Sequence, residues 1–142
     1  SPVVKRHPVD WLIKSHRRFA EAFDQAIGIA DRVCFVDEGN SNKMVAGSVG
    51  LAVVNSTTGM PGLRMGKPVF CLGRSIDAIP GLAKFGNEDE LDRFWSNPVP
   101  PDVALCDAFV RLLQARAVLP GNYHTREGME MAGDGCIKRI DI

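Results

Sequence analysis

The stretch GLAVVNSTTGMPGLRMGKPVFCL, Gly50 to Leu72, decides the fold. A short apolar β-branched run, GLAVV at Gly50–Val54, leads into small polar residues. A helix-compatible segment follows at Thr58–Met65, and then a second apolar run, PVFCL at Pro68–Leu72. Two runs of that length, each brief and apolar enough to be buried on both faces, with a helix between them, read as a parallel strand–helix–strand unit. Pro61 is tolerable only in the first turn of that helix, where no N–H partner is lost.

The same alternation extends in both directions. Upstream, Pro2–Arg6 and RVCFV at Arg32–Val36 read as two further strands. Phe19, Phe23, Ala26 and Ile27 between them recur at helical spacing, and the helix ends near Gly28. Ser41–Ser48 supplies a short second helix. Downstream, Glu88–Trp95 and Asp102–Ala117 read as helices, with Val103, Cys106, Phe109, Val110 and Leu113 on the inward side of the second. In Leu91–Asp102, LDRFWSNPVPPD, the aromatics Phe94 and Trp95 read as packing that fastens the last helix to the sheet. The glycine-bearing tail from Pro120 to Ile142 has no clear period and reads as irregular. The expected fold class is α/β, with a parallel sheet of about four or five strands under helices. The expected organisation is one domain over 1–119 and an irregular tail over 120–142.

Composition agrees with one soluble globular domain. The 142 residues are 45% hydrophobic and 24% charged. Seventeen Lys and Arg balance seventeen Asp and Glu, so the broad basic surface of a nucleic-acid binder is missing and no nucleic-acid partner is expected. No apolar run reaches the roughly 20 residues of a membrane span. The four cysteines, Cys34, Cys71, Cys106 and Cys136, form no CxxC pair. Reduced thiols in the cytoplasm, and no metal, are the expectation. The start at Ser1, with no basic leader, reads as a domain of a longer protein.

In an open parallel sheet, ligands bind at the carboxyl ends of the strands. Polar residues follow all four: His7 and Pro8 after the first, Asp37 and Glu38 after the second, Asn55, Ser56 and Thr57 after the third, Gly73 and Arg74 after the fourth. NSTTGMPGL, Asn55–Leu63, has two readings. Its hydroxyls and free N–H groups, with Gly59 admitting close approach, suit a phosphate. Equally, Ser56 or Thr57 serves as an ordinary helix cap. His7, at a strand end fixed by Pro8, is placed to donate to a phosphate or leaving group, or to bond its own loop. Lys5 and Arg6 add charge on opposite strand faces.

Other site types fail on inspection. There is no GxGxxG, and GLRMGKP at Gly62–Pro68 is one residue short of a P-loop, with Pro68 after Lys67. Ser56, His7 and Asp37 lack the GxSxG of a hydrolase. His16 and His124 have no companion at ligand spacing. The Asn55-Ser56-Thr57 sequon directly follows a buried strand and is not expected to be glycosylated.

Read in order, VVKRHPVD, RVCFVDEG, VVNSTTGMPGLRMGKPVFCLGRSIDAIPGL, LDRFWSNPVPPD and the GNY at Gly121–Tyr123 resemble the C-terminal half of capsule polysaccharide biosynthesis and export proteins. The resemblance covers roughly Val3 to Tyr123. It implies bacterial transferases of the Kdo type, built as two Rossmann-like domains in a GT-B arrangement. The three-layer domain here would be the half that holds the donor CMP-Kdo, with no separate cofactor. Carried over, the HP motif falls on His7 and Pro8 and the small-hydroxyl phosphate motif on Ser56 and Thr57, with Asn55 before them. His7 is then the catalytic candidate, Asn55, Ser56, Thr57 and Gly59 the phosphate site, and Lys5, Pro8, Asp37, Glu38 and Gly73 further donor contacts. The general base is expected in the other half. A lipid-linked saccharide acceptor, the capsule export machinery, and a cytoplasmic location at the inner membrane through partners are also implied. The chain departs from the family at SIDAIPGL, with Asp77 and Ala78 where AIYDIPGL is usual. A second departure is the pair of poor helix formers Pro61 and Gly62. The first departure supports an alternative: a non-catalytic interaction module of the export assembly.

Overall fold

The computed structural model describes residues 1–5 and 16–140. It shows an α/β fold whose chain divides into two compact units, Ser1–Ser41 and Asn42–Ile142. The first unit pairs strand β1 (Val3–Lys5) in parallel with β2 (Cys34–Val36), in the register Val3 to Cys34, Val4 to Phe35 and Lys5 to Val36. Helix α1 (His16–Ala26) runs between them and ends as read, with Gly28 at φ 73°. Phe23 and Ile27, two of the apolar residues that recur at helical spacing, are exposed.

The second unit holds a three-stranded parallel sheet in the order β3 (Leu51–Val53), β4 (Val69–Cys71) and β5 (Lys84–Phe85). The strands therefore divide between two sheets where one continuous sheet was expected. Among the described strands, burial on both faces, expected of each, holds throughout only for β4, which has a neighbour on each side in the larger sheet. Val69, Phe70 and Cys71 are almost wholly enclosed, whereas Val3 and Val4 of β1 are exposed. β5 escaped the sequence reading because it is a two-residue edge strand carrying Lys84, too short to show a period and charged as sheet edges often are.

Successive side chains on a strand point to opposite faces, so Val69 and Cys71 share one face of β4 and Phe70 takes the other. The first face meets Leu63 of α3 (Gly59–Arg64), Cys106 of α5 (Val103–Arg116), and Leu82 and Ala83. Phe70 packs instead on Phe94 of α4 (Glu88–Ser96), ring centroids 5.2 Å apart, and Phe94 meets Trp95 edge-on at 4.8 Å. The sheet is thus covered by helices on both sides, and Phe94 fastens its own helix, α4, to the sheet, where the sequence reading had the aromatics fastening the last helix. Val103, read as inward-facing, is exposed; the inward side of α5 is carried by Cys106, Phe109 and Val110.

The poor helix formers of α3 have a packing reason. A Cβ at Gly62 would stand 2.9 Å from Leu51 Cδ1 and 3.2 Å from Val69 Cγ2, so only glycine lets the helix lie this close to the sheet. Pro61 occupies the first turn. The segment that fell short of a P-loop is a helix stop: Gly66 at φ 68° bonds to the Leu63 carbonyl, and the Lys67 N–H returns to Gly62 at 2.9 Å.

The region read as an irregular tail contains α6 (Arg126–Ile140). Three interior glycines argue against a helix, at up to about 1 kcal/mol each relative to alanine. The start is nevertheless well capped. Asn122 Oδ1 accepts from the N–H groups of His124 and Thr125 at 2.8 and 3.0 Å, and Thr125 Oγ1 accepts from Gly128 at 3.0 Å. Gly128 is needed there, since a Cβ would strike the Asn122 side chain. Ser41–Gly47 forms the short helix α2 as expected.

Candidate functional site

The carboxyl edge of the three-stranded sheet brings two of the singled-out loops together. Beyond β3, Asn55, Ser56 and Thr57 are exposed in a turn that leads into α3. Ser56 Oγ accepts from the Thr58 N–H at 3.2 Å and donates to Thr58 Oγ1 at 3.1 Å, while the Gly59 N–H bonds to the Ser56 carbonyl at 3.1 Å. The N-cap residue itself is Thr58, whose side chain makes no capping bond. Ser56 therefore shapes the turn, and its exposed hydroxyl stays on the solvent side of it.

Beyond β4 the chain runs hard against that turn. The Gly73 N–H donates to the Val54 carbonyl at 2.9 Å, and a Cβ at Gly73 would sit 2.7 Å from the same oxygen. Glycine is thus required for the two loops to meet. An exposed Arg74 follows.

Asp77, only 2% exposed, lies beneath these loops. Its Oδ1 accepts from Ser75 Oγ and, at 3.9 Å, from the Cys71 thiol; its Oδ2 faces the position a Gly59 Cβ would take. The carboxylate thus holds the β4 loop by its bonds and lies against the start of α3 at Gly59. Sequence reading saw Asp77 only as a departure from the family pattern. The available signal was an acid set inside the apolar run Ile76–Leu82.

Burial pushes the Cys71 thiol up to about 11, and the negative Asp77 beside it adds to the rise. Cys106 is raised too, by burial first and then by Asp107. All four cysteines are free, with Cys34 and Cys136 exposed and the other two buried. A thiol reagent at neutral pH is therefore expected to label Cys34 and Cys136 in the native protein and the remaining two only on unfolding. Between pH 9 and about 11 the folded chain keeps a Cys71 proton that the unfolded chain loses. Stability should fall with rising pH across that window, and less steeply in Cys71→Ala, as urea midpoints will show.

A cleft of about 510 Å³ opens at the carboxyl end of β4, with Leu72, Gly73, Arg74 and Ser75 on one side and Phe85 and Gly86 on the other. Neither Phe85 nor the cleft was foreseen. In the first unit, Lys5 ends β1 and the exposed Asp37 and Glu38 follow β2, so these three share the carboxyl edge of the other sheet. His7 and Pro8 lie outside the described residues. Among the described residues no group of three or more His, Cys, Asp or Glu is placed to hold a metal, and no helix is long and apolar enough to cross a membrane.

The sequence pattern of the family described as "Capsule polysaccharide biosynthesis protein" matches residues 2–124. The chain belongs to that family. The match runs from β1 through the GNY segment and stops short of α6, in agreement with the resemblance carried by the ordered motifs. Two relatives are proteins named "Capsule polysaccharide modification protein LipB", from Neisseria meningitidis serogroup A and serogroup B strains. Each is 28% identical over 130 residues, covering 87% of this chain and 29% of the relative. A third is "Capsule polysaccharide export protein KpsS" of Escherichia coli, 25% identical over 122 residues, covering 86% of this chain and 31% of that protein. The chain spans less than a third of the length of these relatives. No solved structure matches it at comparable significance.

Proposed function

We propose that this capsule-family chain is the donor-nucleotide half of a GT-B glycosyltransferase of the Kdo-transferase type, and that it grips the phosphate of a CMP-linked sugar. The observation that carries the reading is the meeting of the Asn55–Thr57 turn and the Gly73 loop at one carboxyl edge of a parallel sheet, where nucleotides bind in folds of this kind. Ser56 and Thr57 supply hydroxyl donors and Asn55 flanks them; Gly59, expected to admit the phosphate closely, is instead buried against the Asp77 carboxylate. His7, which lies outside the described residues, keeps the catalytic role that the HP motif gives it by resemblance. Departure of CMP develops negative charge on the phosphate, and donors already fixed in place meet it without reorganising. The general base, the lipid-linked acceptor and contact with the export machinery are assigned to the other half of the GT-B arrangement.

The bonds of Ser56 within its own turn favour a second reading, in which the turn is only structural and the chain is a non-catalytic module of the export assembly. Thermal melting separates the two. At CMP a hundredfold above its Kd, binding to the folded state alone adds about 2.7 kcal/mol, a rise in Tm of roughly 5–10 °C for a chain of this size. No rise at millimolar CMP would overturn nucleotide binding and leave the module reading.

A further inference from the structure

The cleft at the end of β4 contains chemistry that phosphate binding does not use. Its floor is the strand end at Leu72, one wall is the Gly73–Ser75 loop, and the other is Phe85 with Gly86. The walls differ in character. Arg74 brings a cation to the side next to the Ser56 turn, a placement imposed by the Gly73 bond to Val54. On the opposite wall Phe85 is 49% exposed although it belongs to a strand, so an aromatic ring is held at the cleft by backbone pairing with Cys71 rather than by burial in the core. Immediately beyond Gly86, α4 opens with Glu88, Asp89 and Glu90, and the Glu90 carboxylate abuts Gly86. The cleft therefore runs from the cationic Arg74 to the aromatic Phe85, with the Glu90 carboxylate just beyond Gly86.

We propose that this cleft is the base-and-ribose subsite of the nucleotide, with Phe85 as the stacking wall and Arg74 as a cationic partner for the phosphate. This rests on the reading that the edge binds a nucleotide, and adds where its ring goes and which way it lies. A phosphate is disfavoured at the Gly86 end by the Glu90 carboxylate and attracted to the Arg74 end, so the anionic part lies toward Ser56 and the ring toward Phe85. The volume falls in the range of small-molecule sites, and an aromatic side chain gives a base a stacking surface. The acidic end suits a ring edge or ribose that donates hydrogen bonds, as the amino group of cytosine does.

The test compares CMP with ribose 5-phosphate, which has the phosphate and sugar but no base, by titration calorimetry on the chain and its variants. The wild-type chain is expected to prefer CMP by tenfold or more. Phe85→Ala should abolish that preference while leaving ribose 5-phosphate affinity unchanged, and Phe85→Tyr should retain it. Arg74→Ala should weaken both ligands in equal proportion, with partial recovery in Arg74→Lys. If CMP binds in a Ser56-dependent manner and Phe85→Ala keeps the full preference for it, the base sits elsewhere and this assignment falls while the nucleotide reading stands. If the wild-type chain binds neither compound, both fall.

Discussion

Phe70→Ala is expected to remove about 3–5 kcal/mol of stability, the range for truncating a buried aromatic. Phe70 has no solvent exposure, occupies the middle of the central strand, and is the residue through which β4 holds α4. Truncation forfeits the transfer of the ring from water and leaves a cavity between two elements that close only partly around it. Because domains of this size are stable by only about 5–15 kcal/mol, the variant should lose a large share of its resistance to urea. Phe70→Leu, which refills part of the space, should cost much less. Phe94→Ala should be strongly non-additive with Phe70→Ala, since the two rings share one contact. A loss below about 1 kcal/mol, well under the buried-aromatic range, would mean that α4 does not depend on this face of the sheet.

The second large effect concerns ligand binding. Ser56→Ala with Thr57→Ala removes two exposed hydroxyls from the turn beside Gly73 while leaving every core side chain in place. Hydrogen bonds to a charged group contribute about 1.5–3 kcal/mol each, so the pair should weaken CMP on the order of a hundredfold or more. Loss of the Ser56 bond to the Thr58 N–H should cost the fold only about 1 kcal/mol, as for other local caps. Calorimetry for CMP and urea melts for stability separate the two consequences. Equal damage to binding and folding would show that the hydroxyls act only on the turn.

The strand–helix–strand unit at Gly50–Leu72 was readable because its strands are apolar runs and its helix is bounded by Thr58 and Gly66. What escaped notice depends on tertiary partners. β5 is a strand only because Cys71 and Phe70 lie beside it. α6 overrides three glycines through its Asn122 and Thr125 caps and the close fit of Gly128. The division into two sheets follows from which strands find neighbours, and strand composition does not encode that.

The site shows the same pattern. The Asn55–Thr57 turn and Gly73 were found because loops at strand ends converge whatever their details. Asp77 was missed because its sequence neighbours do not reveal a carboxylate bonded to the β4 loop and lying against α3; only its burial beside Ser75 and Cys71 does. Pro61 and Gly62, which counted against a helix, mark the place where that helix approaches the sheet most closely.

The most direct measurement is a CMP titration of the isotope-labelled chain followed by backbone amide NMR. The account predicts that shifts concentrate at Asn55–Gly59, Gly73–Ala78 and Phe85–Gly86, with α6 unmoved. Shifts confined to α5 and α6, or none at millimolar CMP, would contradict it.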